Sequence, residues 1–359
     1  MGGACPCSAW TRLWYHPTRR PRRRRDGGGA FLRLGIFCTL DHYPDGGSVG
    51  DVLRRSVDEA RQAERVGLES FWVTEHHFSE YGVCPEPAVL LATLAAHTHR
   101  LRLGTATAVL PLEHPLRTAE RYALLDQLTG GRLEFGVGSG YLAHEFAAFG
   151  VDAAAKRERF DESLAIIRAA WSGGPVAHQG ACFQIQAPPL NVLPAQSGGP
   201  PVHVGLTRPQ GAPFVGRQGL GLATVPYISL ESLGELAAMI SAYRMAVPSG
   251  GLAEVTVAMH AFCAEDPRDP DLAGAEAALA RYLRTRVVPG ANYSGRPAPR
   301  EFVLFGDATE LSARLAALAA MGVDRLLLLT SFGGLASDAV TRSLVRLARL
   351  GEAAPGRLP

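Results

Sequence analysis

The chain contains no apolar run approaching the roughly 18 residues that cross a bilayer, so no membrane association is expected. It also lacks any Cys-x-x-Cys pair. Cys5, Cys7, Cys38, Cys84, Cys182 and Cys263 are scattered, which fits neither a disulfide framework nor a zinc site. Such scatter is the pattern of reduced thiols in a cytoplasmic protein. Basic charge is scarce outside one stretch: the formal net charge is +2, and Arg19-Arg20-Pro21-Arg22-Arg23-Arg24-Arg25 accounts for it, leaving the remainder mildly acidic. The body-wide basic surface of a nucleic-acid binder is therefore missing. No Pro/Gly-rich linker divides the 359 residues into halves. One α/β barrel, a fold that runs past about 250 residues as a single domain, accounts for the length better than two domains.

Residues 1–30 have no helical or strand period and carry Gly27-Gly28-Gly29 after the arginines. Their composition predicts a disordered extension. A twin-arginine export signal would need a clean apolar stretch next, whereas Asp26 and the glycines follow and Arg33 breaks the next apolar run. A nuclear-localisation or nucleic-acid role for the arginine run stays open. Residues 31–350 form the regular domain, and 351–359 read as a flexible tail.

Within that domain short apolar strands alternate with amphipathic helices. Strands are expected at 33–38, 70–74, 101–109, 132–137, 201–205, 219–225, 254–263 and 324–330. Helices are expected at 49–66, 85–96, 115–128, 153–171, 230–243, 271–286, 309–320 and 336–350. Alternation implies a parallel sheet, and eight strands imply closure into a (β/α)8 TIM barrel; an open doubly wound sheet also alternates. Two Gly/Pro-rich stretches, about 172–200 and 287–306, break the period and read as insertions, the first with a hairpin around Gly180. Long loops of this kind are candidate lids over a site.

Barrel enzymes place chemistry in the loops after the C-terminal ends of strands. Glu75-His76-His77 follows the second strand directly. Histidine titrates near neutral pH and suits proton transfer. Adjacent histidines in extended backbone point to opposite sides, so they make poor ligands for one ion, and no metal is expected. The only His-x-His, His97-Thr98-His99, lies at the opposite face of the barrel. Gly136-Val137-Gly138-Ser139-Gly140-Tyr141 follows the fourth strand, but a dinucleotide fingerprint needs glycine where Tyr141 stands. No helix begins at once either, and a close approach of backbone to a ligand is the more economical reading. Thr105-Ala106-Thr107-Ala108-Val109-Leu110-Pro111 is small and uncharged, which suits the floor under a flat ring and equally suits plain barrel core.

Taken together, the motifs resemble the bacterial luciferase family of flavin-dependent monooxygenases. The matching text is Phe71-Trp72-Val73-Thr74-Glu75-His76-His77-Phe78, Gly104 through Pro111 with His114-Pro115, and Leu125-Asp126-Gln127-Leu128. Gly131-Arg132-Leu133, Gly136 through Gly140, Arg159-Phe160-Asp161-Glu162 and Phe332-Gly333-Gly334 complete it. The resemblance implies a barrel, usually dimeric, that takes reduced FMN from a separate NAD(P)H:flavin reductase. It implies reaction with O2 through a flavin C4a-peroxide that oxidises an organic small molecule, with a weak lean toward an apolar or polyketide-like one. His76 would be the reactive histidine, with His77 beside it and Glu75 as an orienting group. A cis peptide would fall at Ala106-Thr107 beneath the flavin. The phosphate would be held by Arg157 with Gly205, Leu206 and Thr207, and the Gly138-Ser139-Gly140 turn would approach it. Ser139 is a departure, because the light-emitting catalytic subunit has arginine there; Arg157 would then carry most of the charge. A deazaflavin (F420)-dependent oxidoreductase and a non-catalytic flavin-binding protein share the fold and remain alternatives.

Overall fold

The protein is described from a computed structural model that covers residues 32–79, 82–285 and 300–353. In chain order the elements are β1 (Arg33–Cys38), α1 (Val49–Arg65), β2 (Ser70–Val73), α2 (Pro87–His97), β3 (Arg102–Thr105) and β4 (Ala108–Val109). Next come α3 (Pro115–Leu128), β5 (Leu133–Gly138), α4 (Ala143–Ala148), α5 (Lys156–Trp171), β6 (Val176–Gln179), β7 (Gln184–Ala187), β8 (Val202–Gly205) and α6 (Ala212–Arg217). The chain continues through β9 (Gly221–Thr224), α7 (Leu233–Ala246), β10 (Val255–Cys263), α8 (Pro270–Thr285), β11 (Val303–Gly306), α9 (Ala308–Met321), β12 (Arg325–Leu329) and α10 (Ser337–Ala353).

Local chemistry sets several of these boundaries. Ser48 and Asp51 form a reciprocal cap on α1: the Asp51 N–H donates to Ser48 Oγ at 3.2 Å, and the Ser48 N–H donates to Asp51 Oδ2 at 2.8 Å. Such a cap contributes about 1 kcal/mol. Strands β2, β5, β10 and β12 are buried along their whole length, which a barrel strand covered by helices outside and side chains inside requires.

Parallel pairing runs β1–β2–β3–β5–β8–β9–β10–β12 and back to β1, closing an eight-stranded barrel. The expected hairpin is present: β6 and β7 pair antiparallel with Gln179 opposite Gln184. Three expectations need correction. The strand expected at 101–109 is split into β3 and β4 by the Ala106-Thr107 cis peptide. The irregular stretch expected at 287–306 ends in regular structure, a 3-10 turn at Arg300–Phe302 and then β11; residues 286–299 lie outside the described residues. β11 exists because β10 outruns its neighbour. β9 pairs with β10 only as far as Val257, whereas His260 pairs with Leu329 on one edge and Val303 on the other. Finally, α10 runs to Ala353 into the stretch expected to be a tail. The predicted N-terminal extension and residues 354–359 lie outside the described residues.

The N-terminal end of the barrel holds a buried charge network. Arg325 opens β12 and its side chain is fully buried. Its Nη1 reaches Glu254 Oε1 at 2.8 Å, its Nη2 reaches Glu134 Oε1 at 3.3 Å, and its Nε reaches Glu69 Oε2 at 3.4 Å. Arg33 closes the circuit to Glu69 and Glu254 at 3.2 and 3.0 Å. Arg102 and His203 complete Glu134, the latter at 2.7 Å. Burial alone would raise the Glu134 carboxyl, but Arg325 and Arg102 hold it well below the usual carboxylate range. Trp72 lies on top of this layer, with the Arg325 guanidinium 5.2 Å from its ring centroid and the His203 ring edge-on at 5.2 Å.

Removing one partner from such a network leaves the others buried and uncompensated. Arg325→Ala is expected to lower the unfolding free energy by about 3–5 kcal/mol, read from denaturant titration. Because Glu134 titrates lower in the folded than in the unfolded chain, its contribution is present above the unfolded value of about 4.5 and is lost as pH falls toward the folded value. Wild-type stability should therefore decline with acid from about pH 4.5 downward, and Glu134→Gln should flatten that decline.

Candidate active site

The segment after β2 leaves the barrel at its C-terminal end and carries the acid–base groups. Glu75 is tied on two sides. Its Oε1 lies 3.1 Å from His77 Nε2, and its Oε2 accepts the Val109 N–H at 3.2 Å, which joins the end of β2 to β4. Burial pushes the Glu75 carboxyl above its usual value, against the pull of the His77 hydrogen bond. The same hydrogen bond raises the His77 imidazole. Both shifts run in the same direction, toward retention of a proton by the pair. A cavity of about 170 Å³ borders this pair and is also lined by Glu86, Glu113 and Arg121.

His76 faces the other way, as extended backbone dictates. It is only 8% exposed. Its ring meets Tyr141 edge-on at 6.3 Å, and its Nδ1 is 3.8 Å from Glu145 Oε1. The same Glu145 oxygen accepts the His77 N–H at 2.8 Å. Glu145 belongs to α4, which begins three residues after Gly140, so the expectation that no helix follows the glycine turn at once holds only for the turn itself. Phe146, buried beside it, anchors this short helix.

The small residues form a floor. The Ala106-Thr107 bond is cis, where the resemblance placed it. Both residues are half-buried while Thr105 and Ala108 on either side are buried, so this peptide is the part of the segment that the barrel mouth exposes. Gly138 and Gly205 flank it. A Cβ at Gly138 would stand 2.3 Å from Thr107 Oγ1, and one at Gly205 would stand 2.7 Å from Thr107 Cγ2. Gly104 serves a different need, since a Cβ there would stand 2.3 Å from the Trp72 indole, and Gly136 is required by the β3 backbone, its Cβ position lying 1.9 Å from Thr105 O. The glycines of β5 are thus divided between close approach to β3 and backing the floor.

The expected phosphate-side residues separate into two groups. Leu206 is tied into the sheet, its N–H donating to Ala223 O at 2.9 Å and its carbonyl accepting from Thr224 Oγ1 at 3.0 Å. Thr207 is exposed at the start of the following loop, and Ser139 is half-buried. Arg157 pairs with Asp161 at 2.8 Å and lies 4.4 Å above the Phe214 ring, on the helix that follows the Gly205-Leu206-Thr207 loop. Lys156 is the cation that reaches the glycine turn, with Nζ 3.4 Å from Gly140 O. Sequence reasoning missed Lys156 and Glu145. Lys156 is the only lysine of the chain, a signal that was available. For Glu145 the signal was a carboxylate between Leu142 and Phe146 in a loop that leaves the catalytic end of a strand.

A family model described as luciferase-like monooxygenase matches residues 32–325, and the chain belongs to that family. It is 36% identical over 174 residues to 4-hydroxyprotoasukamycin monooxygenase of Streptomyces nodosus subsp. asukaensis, covering 48% of this chain and 47% of that protein. It is 25% identical over 248 residues to the oxygenase component of flavin-dependent trigonelline monooxygenase of Acinetobacter baylyi, covering 68% and 69%. The first curated relatives are matched over only about half of their length, 58, 55 and 47%. Among solved structures, the oxygenating constituent of 3,6-diketocamphane monooxygenase from Pseudomonas putida, a type II Baeyer-Villiger monooxygenase in complex with FMN, superposes with a TM-score of 0.77. At 19% identity, over 91% of this chain and 99% of that one, this likeness shows the fold. Among the described residues no helix is long and apolar enough to cross a membrane.

The Glu75–His77 pair gives a test that needs no ligand. Glu75→Gln removes the carboxylate that raises the His77 imidazole, so the His77 pKa is expected to fall, by NMR titration of the ring protons. An unchanged His77 titration would show that the hydrogen bond does not set it.

Proposed function

We propose that the chain is the oxygenase of a two-component system. It takes reduced FMN from a separate flavin reductase and oxidises an organic small molecule with O2. The observation that carries this reading is the floor: a half-buried Ala106-Thr107 peptide of small residues, backed by Gly138 and Gly205, at the same strand-end face of the barrel as the buried His76. A flat heteroaromatic ring fits such a surface of small residues, and Lys156 and Arg157 at the start of α5 would supply positive charge for a phosphate. The relative named as an oxygenase component supports the separate reductase, and the fold neighbour solved with FMN supports the cofactor.

Bound reduced flavin supplies the electrons and the reaction with O2. The chain's residues do the rest. Ala106, Thr107, Gly138 and Gly205 orient the ring, while the barrel walls exclude water from it. His76 holds a proton on its imidazole and transfers it at the reacting oxygen. Glu75, shared with His77 and the Val109 N–H, keeps the strand end in register with the floor. Thermal shift should show stabilisation by reduced FMN under anaerobic conditions, and mixing with O2 should give an oxygenated product only when the organic substrate is present. His76→Ala should keep reduced-FMN affinity within a few-fold and lose about 10²–10⁴-fold in turnover. Binding of F420 in place of FMN, without oxygen uptake, would replace this reading with the deazaflavin one.

The reading includes a homodimer through α2 and α3. Val89 on α2 is 66% exposed, and Leu124 and Leu128, one turn apart on α3, are 50% and 47% exposed. Exposed aliphatics on adjacent helices are where such an interface would form. Sedimentation equilibrium should give a dimer for the wild type and a monomer for Leu124→Asp/Leu128→Asp; a double variant of unchanged mass rejects this interface.

A further inference from the structure

We propose that Glu145 is the positioning residue for His76, acting through one carboxylate oxygen that addresses the backbone and the ring together. The proposal rests on the reading of His76 as the proton-transfer group. Glu145 is 2% exposed, and a buried carboxylate is stable only where it is partnered. Its Oε1 accepts the His77 N–H at 2.8 Å and lies 3.8 Å from His76 Nδ1. The first contact fixes the carboxylate against the strand end. The second sets the ring: an anion facing Nδ1 favours a proton on that nitrogen and makes Nε2 the one that exchanges with the reacting oxygen. Contacts of this length in ligand-free active sites tighten when the complex forms.

The remaining walls of the imidazole leave it little freedom. A Cβ at Gly82 would stand 2.6 Å from its Cδ2, and Tyr141 meets the ring edge-on. Among the described residues the titratable groups around His76 include Glu145 from α4, Tyr141 from the loop before it, Cys84 ahead of α2, and Glu75 and His77 on its own segment. Cys84 offers its carbonyl to the His76 N–H at 3.2 Å, and Glu75 is engaged by His77 and Val109. Glu145 Oε1 lies in ion-pair range of Nδ1. Opposite charge at this range stabilises imidazolium and raises its pKa.

The test uses the full chain without flavin, with ¹⁵N-labelled histidine, titrated by NMR. In Glu145→Gln the amide oxygen still accepts the His77 N–H, so the backbone contact survives while the charge is lost. The His76 pKa is expected to fall by about one unit and the population protonated at Nδ1 to shrink. Glu145→Asp, which keeps the charge on a shorter arm, should give an intermediate value. In turnover the pH profile should move with the NMR value, while reduced-FMN affinity stays within about two-fold. A His76 titration unchanged in both variants overturns the proposal and leaves Glu145 as a holder of the His77 backbone. A shifted titration in a chain that binds no reduced FMN upholds the pairing and overturns the functional reading instead.

Discussion

The barrel depends on one buried cation. Arg325 sits where strands enter the barrel, and its guanidinium is reached by carboxylates from the entries to β2, β5 and β10. Each carboxylate is on, or directly precedes, a different strand, so satisfying the cation fixes the mutual height of those strands. Closure in the right register follows, because a slip of one residue would turn a charge out of the network and an apolar side chain into it. Trp72 seals the network from above, and the residues that carry chemistry stand on the far side of that seal. Stability and catalysis are thereby held at opposite ends of the same strands.

Much of this order is legible in the chain itself. The alternation of apolar strands and capped helices locates the eight barrel strands, and Glu75-His76-His77 announces itself by following one of them. What is not legible has specific causes. The helix carrying Glu145 is six residues long and lacks a side-chain cap, so no periodic signal has room to build. β11 is four residues of ordinary composition, and only the length of β10 gives it a place to pair. Lys156 and Arg157 are neighbours in sequence but point about 100° apart on a helix. Arg157 turns toward Phe214, on the helix that follows the Gly205-Leu206-Thr207 loop, while Lys156 reaches the glycine turn, a division that only the helical geometry reveals. Arg325 is equally hidden: a single arginine at the start of an apolar strand reads as a surface residue until the carboxylates converge on it.

The site itself joins segments far apart in the chain. Val109, beyond the cis peptide, donates its N–H to Glu75, and His77 donates its own N–H to Glu145 on α4. The acid–base segment is thus held from two sides by backbone amides meeting buried carboxylates. The floor segment and the acid–base segment are consequently tied to each other through Glu75.

Trp72 fills the barrel between glycines on the two strands that follow its own, Gly104 on β3 and Gly136 on β5. That arrangement governs how the family member can diverge. A methyl group added at Gly104 has nowhere to go while the indole is present, and a smaller residue at 72 leaves a void while that glycine remains. Single steps in either direction are costly, so positions 72 and 104 travel through sequence space as a pair, whereas Gly136 is held by the Thr105 carbonyl whatever stands at 72.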